Sequence, residues 1–87
     1  MYTVVTTETF DKAMKKHHKN RKEELAAVKR KLEQYPAKYG KPLRGSLHGT
    51  WQIRFGDSFR IWYEIDEEEQ TVTLKAVYHK DEARERY

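Results

Sequence analysis

The chain has 87 residues, with 18 Lys plus Arg against 14 Asp plus Glu and a formal net charge of +4, which predicts one small domain with a mild preference for anionic partners. It contains no cysteine, which excludes disulfides, thiolate zinc sites and a cysteine nucleophile and indicates a reducing cytoplasm. No apolar run is long enough to span a membrane and the N-terminus lacks the apolar region of a signal peptide, so the sequence predicts a cytoplasmic protein without membrane association.

The N-terminal part is predicted to form one strand followed by two helices. Residues 2–6 are β-branched and aromatic, which favours a strand, and Thr6 or Thr7 can cap the first helix. Residues 21–35 predict a second helix, which Pro36 ends. Its apolar stripe consists of Leu25, Val28, Leu32 and Tyr35.

The C-terminal half is predicted to supply the rest of the sheet. Residues 36–50 hold both prolines and three of the four glycines and predict a loop-rich crossing. Residues 51–65 alternate as two strands around a two-residue turn at Gly56 and Asp57, and residues 71–78 predict a third strand. The set of that strand expected to face the core is Val72, Leu74, Ala76 and Tyr78. The fold class is therefore α+β, a twisted, mainly antiparallel sheet of about four strands with a helical hairpin on one face.

The second alternating set of the central strand pair brings two arginines together. Arg54 and Arg60 fall on neighbouring strands of one open face, beside the indole of Trp62. Like charges on neighbouring strands repel, so a face that carries both guanidinium groups predicts an anion-binding site. The alternative is an ordinary solvated face, since arginine is common at protein surfaces.

An ordered set of short motifs runs through the second half of the chain. The motifs are Pro42-Leu43-Arg44-Gly45, Leu47-x-Gly49, Phe59-Arg60-Ile61-x-Tyr63 and Val77-x-His79. In this order, and with the element order of the whole chain, they resemble the RelE/ParE toxin superfamily of type II toxin–antitoxin modules. The resemblance implies a single toxin domain over residues 1–87 with the RelE-like fold. It also implies a cytoplasmic toxin neutralised by a cognate acidic antitoxin, typically in a heterotetramer.

The resemblance leaves three functions open. RelE-like members are mRNA interferases, which are endoribonucleases that cleave messenger RNA in the A site of the 30S ribosomal subunit. ParE-like members inhibit DNA gyrase by binding, and the third alternative is an inactive relative that only binds its antitoxin. The predicted function is RNA cleavage by attack of the RNA's own 2′-hydroxyl, with general acid and base help from basic residues and without a metal or cofactor.

The resemblance assigns phosphate contacts to three arginines. Arg60 matches the family's strand arginine at the scissile phosphate, and Arg54 matches a basic position on the preceding strand. Arg44 matches the arginine of the family's proline-leucine-basic-glycine loop, where loop anchoring is the alternative role. Trp62 is predicted to stack on a nucleobase or, alternatively, to pack against the C-terminal tail or the antitoxin.

Three C-terminal residues complete the predicted catalytic set. His79 and Lys80 match a basic pair after the last strand, with His79 as general acid or base because histidine titrates near neutrality. Tyr87 matches a C-terminal tyrosine that stacks on a base or assists proton transfer. Arg54, Arg60, His79 and Lys80 are predicted to share one face of the protein.

One position departs from the family pattern. Gln52 stands where the ribosome-dependent prototype has a lysine that acts as a base, and glutamine cannot accept a proton at neutral pH. The groups left for that role are His79, His48 and Glu64. Asp81 and Glu82 are also unexpected acids beside a phosphate site. These departures keep the gyrase-binding and inactive alternatives open.

Overall fold

The computed structural model describes residues 1–86, so Tyr87 lies outside the described part. Five strands form one sheet in the order β1-β5-β4-β3-β2. None of the helices in residues 1–86 combines the length and apolarity that crossing a membrane requires. The elements are β1 (Thr3–Thr6), α1 (Glu8–His17), α2 (Lys22–Gln34), α3 (Pro36–Tyr39), β2 (Lys41–Pro42), β3 (Trp51–Phe55), β4 (Phe59–Asp66), β5 (Thr71–His79) and α4 (Lys80–Arg86).

The β3–β4 hairpin is the centre of the fold, and the predicted division of its residues between the two faces of the sheet is confirmed. Phe55 pairs with Phe59 across the two strands, and Arg54 pairs with Arg60. The connection is a three-residue turn, not a two-residue one, because Phe59 is the first paired residue after it. Gly56 begins this turn at φ +62°, a left-handed conformation that glycine adopts without a steric penalty.

The main core lies between the sheet and the first two helices. It is built from side chains of α1, α2, β3, β4 and β5: Phe10, Val28, Leu32, Ile53, Phe55, Ile61, Tyr63, Val72 and Leu74. Thr7 caps α1, since its hydroxyl accepts a hydrogen bond from the Phe10 amide at 3.1 Å. Tyr35 was expected on the buried stripe of the second helix, but it follows the end of α2 and is 54% exposed.

The structure differs in four respects from the predicted mainly antiparallel sheet of about four strands with a helical hairpin. β1 runs parallel to β5 at one edge, and the two-residue strand β2 extends the other edge beside β3. The charged C-terminal segment forms a further helix, α4. The helices α1 and α2 pack mainly on strands, α1 on β5 and α2 on β1 and β3, so the expected helical hairpin is not confirmed as a paired unit.

A β-bulge in β5 changes which side chains face the core. Trp62 pairs with Ala76, but the next residue of β4, Tyr63, pairs with Leu74, so Lys75 is an extra residue in β5. Before the bulge, the alternation buries Val72 and Leu74 as predicted. After it, the alternation is inverted, and Ala76 and Tyr78 lie on the face of Trp62 instead of the main core.

A second, smaller core lies on the face of the sheet that the sequence had left open. Leu43, Trp62 and Ala83 are buried there, with Leu47 and Tyr78 packed against them. These contacts fasten the loop after β2 and the helix α4 to the sheet. The open face is therefore closed over part of Trp62, and its part toward the β3–β4 turn and the β3 edge stays available to a ligand.

His18, at the junction of α1 and α2, is the one polar residue buried in the described chain, and its Nδ1 has no hydrogen-bond partner there. Its ring meets Phe59 edge-on, with centroids 4.5 Å apart. Burial, followed by the charges of Arg21 and His17, lowers its pKa below the ordinary value of 6.5.

This histidine makes the stability of the fold sensitive to acid. Below pH 6.5 the unfolded chain binds a proton that folded His18 does not, so stability is complete above this pH and is lost as the pH falls toward the folded-state pKa. The slope reaches at most about 1.4 kcal/mol per pH unit. Urea unfolding from about pH 7 to about pH 5 is expected to show a larger loss for the wild type than for His18→Phe. Parallel profiles for the two proteins would contradict this assignment.

Candidate functional site

Two adjoining depressions of about 410 and 290 Å³ form a continuous groove on the open part of the sheet and around its β3 edge. They share Lys41, Gln52 and Arg60. We call this feature the basic groove, and its charged lining comprises six cations: Lys31, Lys41, Arg54, Arg60, Lys80 and Arg84. No carboxylate or imidazole of residues 1–86 lines it.

The strand register places two of these cations side by side. Arg54 and Arg60 are directly paired across β3 and β4, where like charges repel. Arg60 is half-buried, and its Nη1 donates a hydrogen bond to the Phe59 carbonyl at 2.8 Å. Within residues 1–86, none of the six groove cations forms an ion pair with a carboxylate. Their charges are therefore available to an external anion.

The helix α4 supplies the second wall of the basic groove. Lys80 and Arg84 are four residues apart and so lie on one side of the helix, while Ala83 packs into the second core. Glu82 pairs instead with Arg86 at 3.4 Å. Helical periodicity thus separates Lys80 and Arg84 from the acids of this segment, and neither Asp81 nor Glu82 lines the groove.

His79 does not share the face of Arg60, and the prediction that it would is corrected by the structure. It pairs with Phe59 across β4 and β5, and the two rings meet edge-on at 5.6 Å on the side of the main core. The bulge at Lys75 is the reason, because it inverts the alternation of every later residue in β5. The imidazole Nδ1 accepts a hydrogen bond from the Asp81 amide at 3.2 Å, at the start of α4.

The other predicted site residues lie apart from the basic groove or outside the described chain. Trp62 is only 7% exposed and packs edge-on against Tyr78 at 4.9 Å, so its faces are not free to receive a nucleobase. Arg44 is exposed on the loop before the 3₁₀ turn Gly45–Leu47 and does not line the groove. Tyr87, the remaining predicted catalytic residue, lies outside residues 1–86.

Four charged or aromatic lining residues were not predicted from the sequence as part of the site: Lys31, Tyr39, Lys41 and Arg84. Tyr39 is 45% exposed and gives the groove an accessible aromatic ring. The neighbouring Gly40 lies against Tyr63, whose buried hydroxyl donates a 2.6 Å hydrogen bond to the Pro36 carbonyl. This contact fixes α3 and β2 to the sheet and so positions Tyr39 and Lys41 at the groove. The spacing of Lys80 and Arg84 was the one signal in the sequence that could have identified a missed residue.

The arrangement is suited to binding a polyanion. Guanidinium groups contact phosphate oxygens in a bidentate manner, whereas ammonium groups act as compact point charges. An exposed aromatic ring beside such groups can stack on an unpaired base. The groove therefore has the components of a single-stranded nucleic-acid site, with cations for the backbone and Tyr39 for a base.

Comparison with known proteins gives concordant results. Residues 4–84 match the sequence model of a family described as the ParE toxin of the type II toxin–antitoxin system parDE. Toxin RelG of Mycobacterium tuberculosis is 43% identical over 49 residues, which are 56% of this chain. The match takes in 55% of RelG, so the chain spans about half the length of the curated relative it matches.

Solved structures agree over a larger part of the chain. In the RelBE2 toxin–antitoxin complex of M. tuberculosis, one chain is 39% identical, with a TM-score of 0.72 and coverage of 90% of each chain. A chain of the intact Escherichia coli RelBE complex is 21% identical, with a TM-score of 0.76 and coverage of 91% of this chain and 96% of that one, which shows the shared fold. The chain therefore belongs to the RelE/ParE superfamily of toxins from type II toxin–antitoxin modules.

Proposed function

We propose that residues 1–87 form a single toxin domain that acts as a metal-independent endoribonuclease on messenger RNA at the ribosome. The observation that carries the proposal is the basic groove, where six cations face an open channel without a carboxylate among them in residues 1–86. A single-stranded RNA backbone is the anion that such a channel fits, because its phosphates are spaced along a line and its bases are free to stack.

The proposed reaction is attack of the RNA's 2′-hydroxyl oxygen on the adjacent phosphorus. The bond from phosphorus to the 5′-oxygen breaks, which leaves a 2′,3′-cyclic phosphate and a 5′-hydroxyl. Arg60 and Lys41 stabilise the negative charge that develops on the non-bridging oxygens. The proton of the attacking 2′-hydroxyl passes to solvent water, and the Lys80 ammonium donates the proton that the departing 5′-oxygen requires and is then reprotonated from solvent. Catalysis in this scheme rests mainly on charge stabilisation, with His79 as a support for the start of α4.

A second candidate function is inhibition of DNA gyrase by binding. The observation that favours it is the lack of a carboxylate or imidazole in the groove to accept the 2′-hydroxyl proton, together with a glutamine at position 52. The description of the matching family as a ParE toxin is consistent with this candidate. A binding toxin needs the cations but no proton transfer.

The deciding experiment is induced expression in a host that lacks the antitoxin, with mapping of 5′ ends on a reporter mRNA. New 5′ ends are expected with the wild type and none with the triple variant Lys41→Ala/Arg60→Ala/Lys80→Ala. Growth arrest with intact mRNA and inhibited DNA supercoiling would favour the gyrase candidate. A soluble wild-type protein that causes no arrest would overturn both candidates.

A cognate antitoxin is the proposed protein partner. Two of the similar structures are toxin–antitoxin complexes. An acidic antitoxin segment is complementary in charge to the basic groove and would exclude RNA from it, since both ligands are anionic. The antitoxin is therefore expected to abolish RNA cleavage at stoichiometric concentration, in the heterotetrameric assembly typical of the superfamily.

Tyr39 takes the stacking role that the sequence had assigned to Trp62. Tyr39→Ala is expected to weaken binding of single-stranded RNA by about 1–3 kcal/mol, the usual contribution of one base–aromatic stack. Tyr35→Ala is the matched control, because Tyr35 is exposed nearby, with its ring centroid 6.3 Å from that of Tyr39, but does not line the groove. Fluorescence anisotropy with RNA measures both. If Tyr39→Ala and Tyr35→Ala lost the same RNA affinity, the stacking role of Tyr39 would be contradicted.

A further inference from the structure

Gln52 occupies the part of the basic groove where its two depressions meet. It is half-buried and lines both of them. The strand register places Lys41 on one side of it and Trp62 on the other, and Arg60 also lines both depressions. Gln52 is thus a neutral polar group at the centre of a cationic channel.

The indole of Trp62 fixes the orientation of the Gln52 amide. Trp62 Nε1 donates a hydrogen bond to Gln52 Oε1 at 2.9 Å. An indole nitrogen can only donate, so the carbonyl oxygen of the amide must face it and the NH₂ group must point away. Within residues 1–86, the Gln52 NH₂ group has no hydrogen-bond partner. The pair therefore presents two unused N–H donors at the groove, while the indole occupies one acceptor site of the amide oxygen.

We infer that Gln52 is a phosphate ligand. Its oriented NH₂ group donates a hydrogen bond to a non-bridging oxygen of an RNA phosphate, and Arg60 and Lys41 bind the same phosphate. This inference rests on the proposed RNA-cleaving function and adds to it a ligand without charge. Trp62 is a positioning residue, because it acts on the substrate only through the amide. An amide that turns its NH₂ group toward the groove suits a phosphate because ionised phosphate oxygens accept hydrogen bonds and do not donate them.

Phosphate is favoured over a base edge by the surroundings of the amide. Its cross-strand neighbour Lys41 and the nearby Arg60 are cations that phosphates pair with. Tyr39, the exposed ring available for a base, belongs to only one of the two depressions, whereas Gln52 belongs to both. The backbone is therefore expected to cross the groove over Gln52, with a base directed toward α3.

The test measures the affinity of the intact chain for a 2′-O-methyl oligoribonucleotide, which cannot be cleaved by 2′-hydroxyl attack, as a function of salt. Gln52→Ala is expected to weaken binding about tenfold to a hundredfold, the loss of one hydrogen bond to a charged group. The RNA affinity of Gln52→Ala should depend on salt concentration as that of the wild type does, because this substitution removes no charge. Lys41→Ala is the matched control and should reduce the slope of log K against log[salt] by about 0.7, the value for one phosphate on a single strand.

Two further variants separate the role of the amide from effects on folding. Gln52→Glu keeps the acceptor for Trp62 and replaces the NH₂ group with a carboxylate oxygen, so it is expected to bind more weakly than Gln52→Ala at low salt. Trp62→Phe keeps an aromatic ring but frees the amide. It is expected to weaken binding in the wild-type background and to have no further effect when combined with Gln52→Ala.

The possible outcomes distinguish this inference from the function on which it rests. A wild type that binds no RNA at low salt would overturn the proposed function itself. Wild-type binding that Gln52→Ala and Gln52→Glu leave unchanged would overturn only the role of Gln52. If Trp62→Phe weakened RNA binding equally in the wild type and in Gln52→Ala, the positioning role of the indole would be overturned.

Discussion

Replacing Arg60 by alanine is expected to reduce the rate of RNA cleavage by a factor on the order of 10²–10³, the usual effect of removing one donor that stabilises developing negative charge. Arg60 is the arginine that both depressions of the groove share, and it is held by the 2.8 Å hydrogen bond to the Phe59 carbonyl. The measurement is a single-turnover rate on messenger RNA, with ribosomes present.

Two variants serve as controls for this effect. Arg30→Ala removes an exposed arginine of α2 that does not line the groove, and it is expected to cleave at the wild-type rate. Arg60→Lys keeps the charge but loses the planar, bidentate geometry, so it should fall between the wild type and Arg60→Ala. If folded Arg60→Ala cleaved as fast as Arg30→Ala, the groove could not be the catalytic site.

Replacing Gly40 by alanine is expected to destabilise the fold by about 1–3 kcal/mol, the usual cost of overpacking a well-filled site. A Cβ atom at this position would lie 2.8 Å from Tyr63 Cζ and 2.9 Å from the Gln52 carbonyl oxygen, and nearer still to the Tyr63 hydroxyl. Glycine is required here by this close approach. The measurement is equilibrium unfolding in urea, with RNA affinity measured in parallel because Gly40 joins Tyr39 to Lys41.

A second substitution tests the cause of that loss. Tyr63→Phe alone removes the hydrogen bond to the Pro36 carbonyl and should cost about 1–3 kcal/mol, since it leaves a buried acceptor unsatisfied. In the double variant, the added methyl group meets no hydroxyl. The combined loss should therefore be smaller than the sum of the two single losses. If the losses of stability in the two single variants simply added in the double variant, the crowding at Gly40 would not come from the Tyr63 hydroxyl.

The sequence was sufficient to predict the two strands of the hairpin and which of their residues face the core, because each strand alternates without interruption, but the turn is one residue longer than predicted. It was not sufficient for β5, where the same reasoning assumed an uninterrupted period of two. Lys75 interrupts that period, and no residue near it distinguishes a bulged strand from a regular one. This one extra residue explains why Tyr78 does not face the main core and why His79 does not share the face of Arg60, contrary to the prediction for each.

The part of the candidate site that the sequence predicts lies on the long strands β3 and β4 or directly after β5. Arg54, Arg60 and Lys80 are predicted from the sequence as site residues, and all three line the groove. Lys41 lies on a strand of two residues that contains a proline, and Arg84 lies on a short helix with a single buried residue, Ala83. Elements so short carry too few apolar positions to show a period, and their place in the fold is decided by distant contacts that the sequence does not display.

The weak attachment of α4, which forms one side of the basic groove, predicts that this helix detaches from the sheet without unfolding of the sheet itself. The helix has seven residues, too few to be stable alone in water, and Ala83 is the side chain that it buries. Detaching it would expose little apolar surface compared with unfolding the sheet, so this opening requires less free energy than global unfolding. Hydrogen exchange should accordingly be faster along α4 than in β4 and β5. A ligand that engages Lys80 and Arg84 would then hold α4 against the sheet as it binds, and its affinity would include the cost of suppressing that opening.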